Sequence, residues 1–176
     1  MLYELIAAVV AGVALAGIAM ALRRLTGGLL PKWLVPAAAG IGILGYSVWS
    51  EYSWFSRSVA AQPNGVVVAW HNGESAPWRP WSYLAPVTTR FTAVDTRSIQ
   101  RHPDFPDQRI VGLRLAARWQ PSTLVKVAFD CAGNKRADLS GGNVSIGANG
   151  GIENAAWIDL APDDAVLRAA CAPSGG

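Results

Sequence analysis

Acidic side chains are almost missing from the first fifty positions of this chain, where Glu4 stands alone. Lysine is scarce throughout, three against twelve arginines. Charged residues make up only 15% of the 176, well under the usual quarter, while hydrophobic residues reach 51%. The formal net charge of +3 does not mark a nucleic-acid binder, because the basic residues are scattered singly and form no stripe that phosphates could follow. Histidine occurs twice, at His71 and His102, and neither lies in an H-E-x-x-H or a Cys-His cluster, which leaves no metal site by spacing. His102, Asp104 and Asp107 offer too few ligands for a cation loop, and a solvated loop is expected there.

Nucleophile and phosphate motifs are missing as well. No serine sits in G-x-S-x-G, and there is neither a P-loop nor a G-x-G-x-x-G after a strand. The glycine pairs Gly141-Gly142 and Gly150-Gly151 lack the Lys-Ser/Thr ending and the helix a phosphate loop needs. Asp163 and Asp164 are paired carboxylates, but the first turn of a short helix accounts for them. Cysteine occurs only as Cys131 and Cys171, too far apart for C-x-x-C redox chemistry. No enzyme activity, cofactor or metal is expected.

What is present is apolar length. Residues 3–22 and 33–50 form two runs close to the 20 residues that span a bilayer core. They read as a transmembrane helical hairpin joined by a basic loop, residues 23–32, with Arg23, Arg24 and Lys32. Positive charges in short loops stay cytoplasmic, so the N-terminus and the large C-terminal domain are expected outside, in the periplasm of a bacterial inner membrane. A cleaved signal peptide is the rival for residues 1–22, but its start, Met-Leu-Tyr-Glu, lacks the basic n-region and its apolar run is too long.

Trp33 marks the inner end of the second run, and Trp49, Tyr52, Trp54 and Phe55 crowd the outer end as an interfacial belt. Ala8, Gly12 and Ala16 on the first helix, and Ala38, Gly42 and Gly45 on the second, form small-residue stripes. Such stripes pack the hairpin on itself or dock another membrane subunit.

Residues 56–64 read as a polar linker, and residues 65–176 as a small α+β domain. Strands are expected at 66–70, 88–94, 109–119 and 123–131, the last two as an antiparallel hairpin. In 109–119, Val111, Leu113, Leu115, Ala117 and Trp119 share one face. Residues 95–101 suggest a single helical turn capped by Asp95 or Thr96, residues 102–108 a loop, and 143–146 a short strand. Pro162 opens a short helix ending near Cys171. In an oxidising compartment Cys131 and Cys171 are expected as a disulfide. Trp78-Arg79-Pro80-Trp81-Ser82-Tyr83 is the most distinctive soluble stretch. Trp78, Arg79, Trp81 and Tyr83 suit a partner interface, and the alternative is that the tryptophans fill the core or rest on lipid headgroups.

Asp95-Thr96-Arg97-Ser98-Ile99, the strand Lys126-Val127-Ala128-Phe129-Asp130-Cys131, Trp157 and a short helix ending in Cys171 occur in an order that resembles the surface-adhesin protein E family. The resemblance covers residues 91–171 and none of the hairpin. It implies an α+β fold with one disulfide, and adhesion is not carried over to a domain held at an inner membrane.

The expected protein is therefore α+β: a two-helix transmembrane hairpin, then a small periplasmic antiparallel β-sheet domain with a short C-terminal helix and one disulfide. The expected function is non-enzymatic, an accessory subunit or assembly factor of a larger membrane complex. Its partners would be the lipid bilayer and other integral membrane subunits, with no nucleic acid. A periplasmic ligand- or lipid-binding sensor domain is the alternative.

Overall fold

The structure is a computed structural model that describes residues 2–139, 144–147 and 151–172. The chain divides into two compact units, Met1–Arg57 and Ser58–Gly176.

The first unit is a pair of antiparallel helices, α1 (Leu2–Leu25) and α2 (Leu34–Ala60). α1 stops where Gly27 and Gly28 turn to positive φ, and the Gly28 N–H donates to the Arg23 carbonyl at 2.9 Å, closing a Schellman-type cap. The Arg23 Nε donates to the Leu30 carbonyl at 3.0 Å and holds the loop against the helix end.

Close approach of the helices is set by two glycines. A Cβ on Gly42 would lie 2.7 Å from the Ala11 carbonyl oxygen, and one on Gly12 would lie 2.8 Å from Ile43 Cγ1. Ala8, Gly12, Ala19, Gly42 and Ser50 are the buried positions of the pair, whereas Val9, Val10, Val13, Ile18 and Leu44 are exposed. At one end of the seam the Ser50 hydroxyl donates to Glu4 Oε1 at 3.3 Å.

Among the described residues, α1 is the one helix long and apolar enough to cross a membrane. α2 is more polar in its second half, where Ser47, Ser50, Glu51 and Ser53 fall. It also runs ten residues past the expected end, through most of the stretch read as a linker. Nothing before Pro63 breaks the helix. The Ser56 hydroxyl bonds back to the Ser53 carbonyl, and the Arg57 guanidinium lies 5.2 Å over the Trp49 ring, so local contacts favour continuation. The belt aromatics Trp49, Tyr52, Trp54 and Phe55 thus all stand on α2.

The second unit is an antiparallel sheet in the order β1-β2-β3-β4-β5-β8 with one helix on it. Its strands are β1 (Val66–His71), β2 (Arg90–His102), β3 (Phe105–Ala117), β4 (Thr123–Asp130), β5 (Lys135–Asp138) and β8 (Ile158–Asp159). A separate ribbon pairs β6 (Ser145–Ile146) with β7 (Ile152–Glu153). The helix α3 (Ala165–Cys171) lies over β1 to β4. Between them sits the core of Val94, Val111, Leu113, Val127, Phe129, Leu167 and Ala170. Alternate residues Phe91, Ala93, Ala128 and Ala137 are buried on the opposite face. The architecture is α+β, with Cys131 and Cys171 joined in a disulfide, their Cα atoms 5.8 Å apart.

Several expectations are corrected here. Residues 95–101 are not a helical turn; they belong to β2. The capping chemistry read there is real but serves a bulge. Asp95 pairs with Gly112 and the next registered residue, Gln100, pairs with Ile110, so the intervening residues bulge out. Asp95 Oδ1 accepts from the Arg97 N–H, the Ser98 hydroxyl bonds the Asp95 carbonyl, and Ser98 Oγ accepts the Gly112 N–H at 2.8 Å.

Residues 102–108 are not a long loop. His102 pairs with Phe105 across a two-residue turn, Pro103-Asp104. Past Leu113 the expected face of β3 also fails: Leu115 and Trp119 are exposed, and Arg118 is buried. Trp119 turns to φ 70, which breaks the alternation and lays its ring 4.5 Å under the Arg118 guanidinium. β5 lies in the Gly/Asn-rich region that suggested no such strand, and Lys135 faces Asp159 of β8 at 3.3 Å. Of the strand expected at 143–146, Asn143 lies outside the described residues. Pro162 precedes α3 rather than opening it, and Asp164 is the cap.

Candidate functional site

The excursion between β1 and β2 is built to hold its shape. At its stem Asn72 Oδ1 accepts the N–H groups of Thr89 and Arg90, at 2.9 and 2.7 Å, while its amide donates to Thr89 Oγ1 at 2.8 Å. The Thr89 hydroxyl donates onward to Glu74 Oε2 at 2.9 Å. Glu74 and Val87 exchange both backbone hydrogen bonds at 3.0 Å, which closes the neck.

Above the neck, Pro80–Tyr83 forms a single 3-10 turn with proline at its start, where a missing N–H costs little. The turn is pinned from inside by Ser82, which is fully buried. Its hydroxyl donates to the Arg79 carbonyl at 2.6 Å and accepts the Ala76 N–H at 2.9 Å, and the Ser75 hydroxyl bonds the Ser82 carbonyl. Ala76 and Val87 are buried beside it.

That scaffold puts apolar groups outside. Trp78 is 74% exposed, Tyr83 64% and Leu84 92%. Arg79 and Trp81 are half-buried. Of the four residues singled out from the sequence, two are therefore exposed and two are half-buried. Leu84 had no motif to announce it. Asn72 and Ser82 were legible only as turn-forming residue types, the kinds that bond nearby backbone.

The other predicted groups fall elsewhere. Gly12 and Gly42 meet across the helix seam with Ala8 on the same side, Ala16 and Ala38 are half-buried, and Gly45 faces open space. Trp33 is exposed. Cys131 and Cys171 are bonded to each other and tie α3 to the end of β4. Arg109 completes that attachment, because its Nη1 donates to the carbonyls of Ala170 and Ala172 at 3.0 and 2.8 Å, satisfying the C-terminal end of α3. Partial burial, and next the positive charge of Arg101, lower the pKa of this guanidinium below the usual value, against an opposing pull from Asp107. It stays charged at any physiological pH.

Among the described residues no three His, Cys, Asp or Glu side chains converge on a metal position. His102 and Asp104 approach to 3.7 Å at the hairpin turn, and His71 lies apart on β1. A cleft of about 350 Å³ opens over one end of the sheet, lined by Trp70, Thr92, Leu115, Gln120, Pro121 and Thr123 among others. What the geometry offers is two apolar surfaces: an exposed aromatic and aliphatic knob on a hydrogen-bonded loop, and a cleft at one end of the sheet. No family model matches the chain, and neither a curated protein nor a solved structure matches it.

Proposed function

We propose that this chain is a non-enzymatic, membrane-anchored accessory subunit or assembly factor, and that the excursion between β1 and β2 is its docking element. One observation carries the reading: Trp78, Tyr83 and Leu84 stand exposed on a loop whose backbone is clamped by Asn72 and Ser82. Exposed aromatics on a rigid support lose little entropy on binding, and Trp and Tyr dominate interface hot spots.

The membrane placement is supported by α1, whose apolar side chains are exposed along its 24 residues. The hairpin is read as spanning an inner membrane, with the loop of Arg23, Arg24 and Lys32 cytoplasmic and the sheet domain periplasmic. A disulfide suits that oxidising side. The likeness to the surface-adhesin protein E family is proposed as one of domain architecture, a disulfide-locked α+β unit, without the adhesion.

The test is a comparison of two purifications in mild detergent, one of the native chain and one carrying Trp78→Ser, Tyr83→Ser and Leu84→Ser. The native chain should run with partner subunits, and the variant should run alone with unchanged thermal unfolding. A native chain that runs as a clean monomer overturns the reading. The cleft over Trp70 and Leu115 favours a second reading, a periplasmic sensor for a small apolar ligand or lipid tail, since its volume of about 350 Å³ falls in the range of small-molecule sites. A Trp70→Ala variant that keeps its partners but loses a co-purifying small molecule would favour that reading.

A further inference from the structure

Where α1 ends, the chain leaves a cleft of about 390 Å³ lined by Met20, Arg23, Arg24, Gly27 and Gly28. The two arginines follow Met20 by three and four residues, so all three share one face of the helix. A rise of 1.5 Å per residue sets Met20 about 6 Å further along the helix than Arg24, toward its apolar middle. The far wall is backbone: both glycines have positive φ, and a Cβ built on either would meet nothing within 4 Å. No side chain fills the space.

Charge in this region is of one sign. Residues 5–50 contain no Asp or Glu, and they hold Arg23, Arg24 and Lys32. The Arg24 side chain makes no hydrogen bond or ion pair among the described residues. Arg23 spends its Nε on the Leu30 carbonyl, which fixes the guanidinium rather than neutralising it. Two planar cations beside an open backbone, at the polar end of an apolar helix, match an anion that is doubly bonded by guanidinium groups and attached to hydrocarbon.

We propose that this cleft binds the phosphate of an anionic phospholipid, with Arg23 and Arg24 on the phosphate oxygens and Met20 against the first acyl carbons. The proposal rests on the membrane reading above. A headgroup held there ties the loop to a leaflet rich in anionic lipid, which reinforces the orientation that the charges set. Lys32 lies outside the cleft and contributes only diffuse attraction.

The experiment uses the full chain in neutral detergent, offered phosphatidylglycerol or phosphatidylcholine and read by native mass spectrometry. Phosphatidylglycerol should be retained roughly tenfold more than phosphatidylcholine, and Arg24→Gln should remove most of that preference, as expected for loss of a near-surface basic contact. Arg24 makes no bond to the fold, so this variant keeps the loop intact, whereas Lys32→Gln should change retention little. Equal retention of the two lipids overturns the proposal. So does a Lys32→Gln loss as large as that of Arg24→Gln, which would mean diffuse attraction. Displacement by millimolar inorganic phosphate would make the site one for a free anion and overturns the lipid assignment. Separately, membranes are washed with alkaline carbonate. Extraction of the chain there overturns the membrane reading and the site together, while resistance combined with no lipid preference overturns the site alone.

Discussion

In the helical pair, Ala8, Gly12, Ala19 and Gly42 are buried, and Val9, Val10, Val13 and Leu44 face outward. In the sheet unit the order is reversed, with Val94, Val111, Leu113 and Phe129 inside and Arg90, Arg97, Arg101 and Lys126 outside. One chain therefore follows two opposite packing rules on either side of residue 57. The sheet unit obeys water, which drives large apolar groups together. In the proposed bilayer, Val and Leu gain nothing by leaving the lipid, and helices associate through small residues that let their backbones approach. The difference makes large side chains the sensitive positions in one unit and small ones in the other.

The largest effect should come from the bond that only the sheet unit has. The Cys131–Cys171 bridge closes a loop with a sequence separation of 40. Loop-closure entropy then predicts about 4 kcal/mol of stabilisation. Replacing both cysteines with serine should lower the unfolding midpoint of the sheet unit accordingly, and leave the helical signal of the pair unchanged. Unaltered unfolding and protease resistance of the variant would mean that α3 is held by Arg109 and its packing alone.

Next come truncations. Leu113→Ala should cost about 3 kcal/mol, because Leu113 lies in the core against α3. Val13→Ala, on the outer side of α1, should change stability in lipid by much less, since no protein packing is lost there. Denaturant or thermal unfolding of the two variants in the same bilayer mimic decides it, and equal losses would erase the contrast.

The converse substitution works in the other unit. Gly42→Leu drives a side chain into the Ala11 carbonyl, so the helices must separate or shift, at roughly 1–3 kcal/mol. Gly45→Leu, one turn away, meets open space and should be neutral. A cross-link between cysteines placed at Glu4 and Ser50, whose side chains meet across the seam, should weaken in the first variant and persist in the second.

These contrasts mirror what is legible in the sequence alone. Period-two alternation exposed β3 and β4 because their large apolar side chains, Val111, Leu113, Val127 and Phe129, pack toward α3, while the positions between them hold Gly112 and Ala128, too small to blur the pattern. The bulge at 96–99 was invisible because Asp and Ser bond nearby backbone equally well in a helix cap and in a bulge. β5 hid in a Gly/Asn-rich stretch because only Ala137 of its four residues is buried, and cross-strand pairing supplies the rest. In the helical pair, four-residue spacing of small residues marked Gly12 and Gly42, but spacing alone could not tell Gly42 from Gly45. Which one meets the partner depends on the crossing, a property of both helices at once. The excursion between β1 and β2 stood out by its aromatics, and its hydrogen-bonded support did not, since Ser82 and Asn72 act through bonds to backbone several residues away.

The smallest expected effects test where the contrast should vanish. Backbone N–H and C=O groups at helix ends need partners in either solvent. In α3, Asp164 accepts from the N–H groups of Val166 and Leu167 at 2.9 and 2.8 Å, while its neighbour Asp163 is exposed. Asp164→Ala should cost about 1 kcal/mol, and Asp163→Ala only a few tenths. In α1 the matching element is Gly28 at φ 88, whose N–H satisfies the Arg23 carbonyl. Gly28→Ala should cost about 1 kcal/mol as well, because a Cβ is strained there. Similar losses at the two caps, measured by unfolding of each unit, would show that the change of surroundings inverts the rules for side chains and leaves those for the backbone alone. A Gly28→Ala variant with no loss would mean that the Arg23 carbonyl finds another donor.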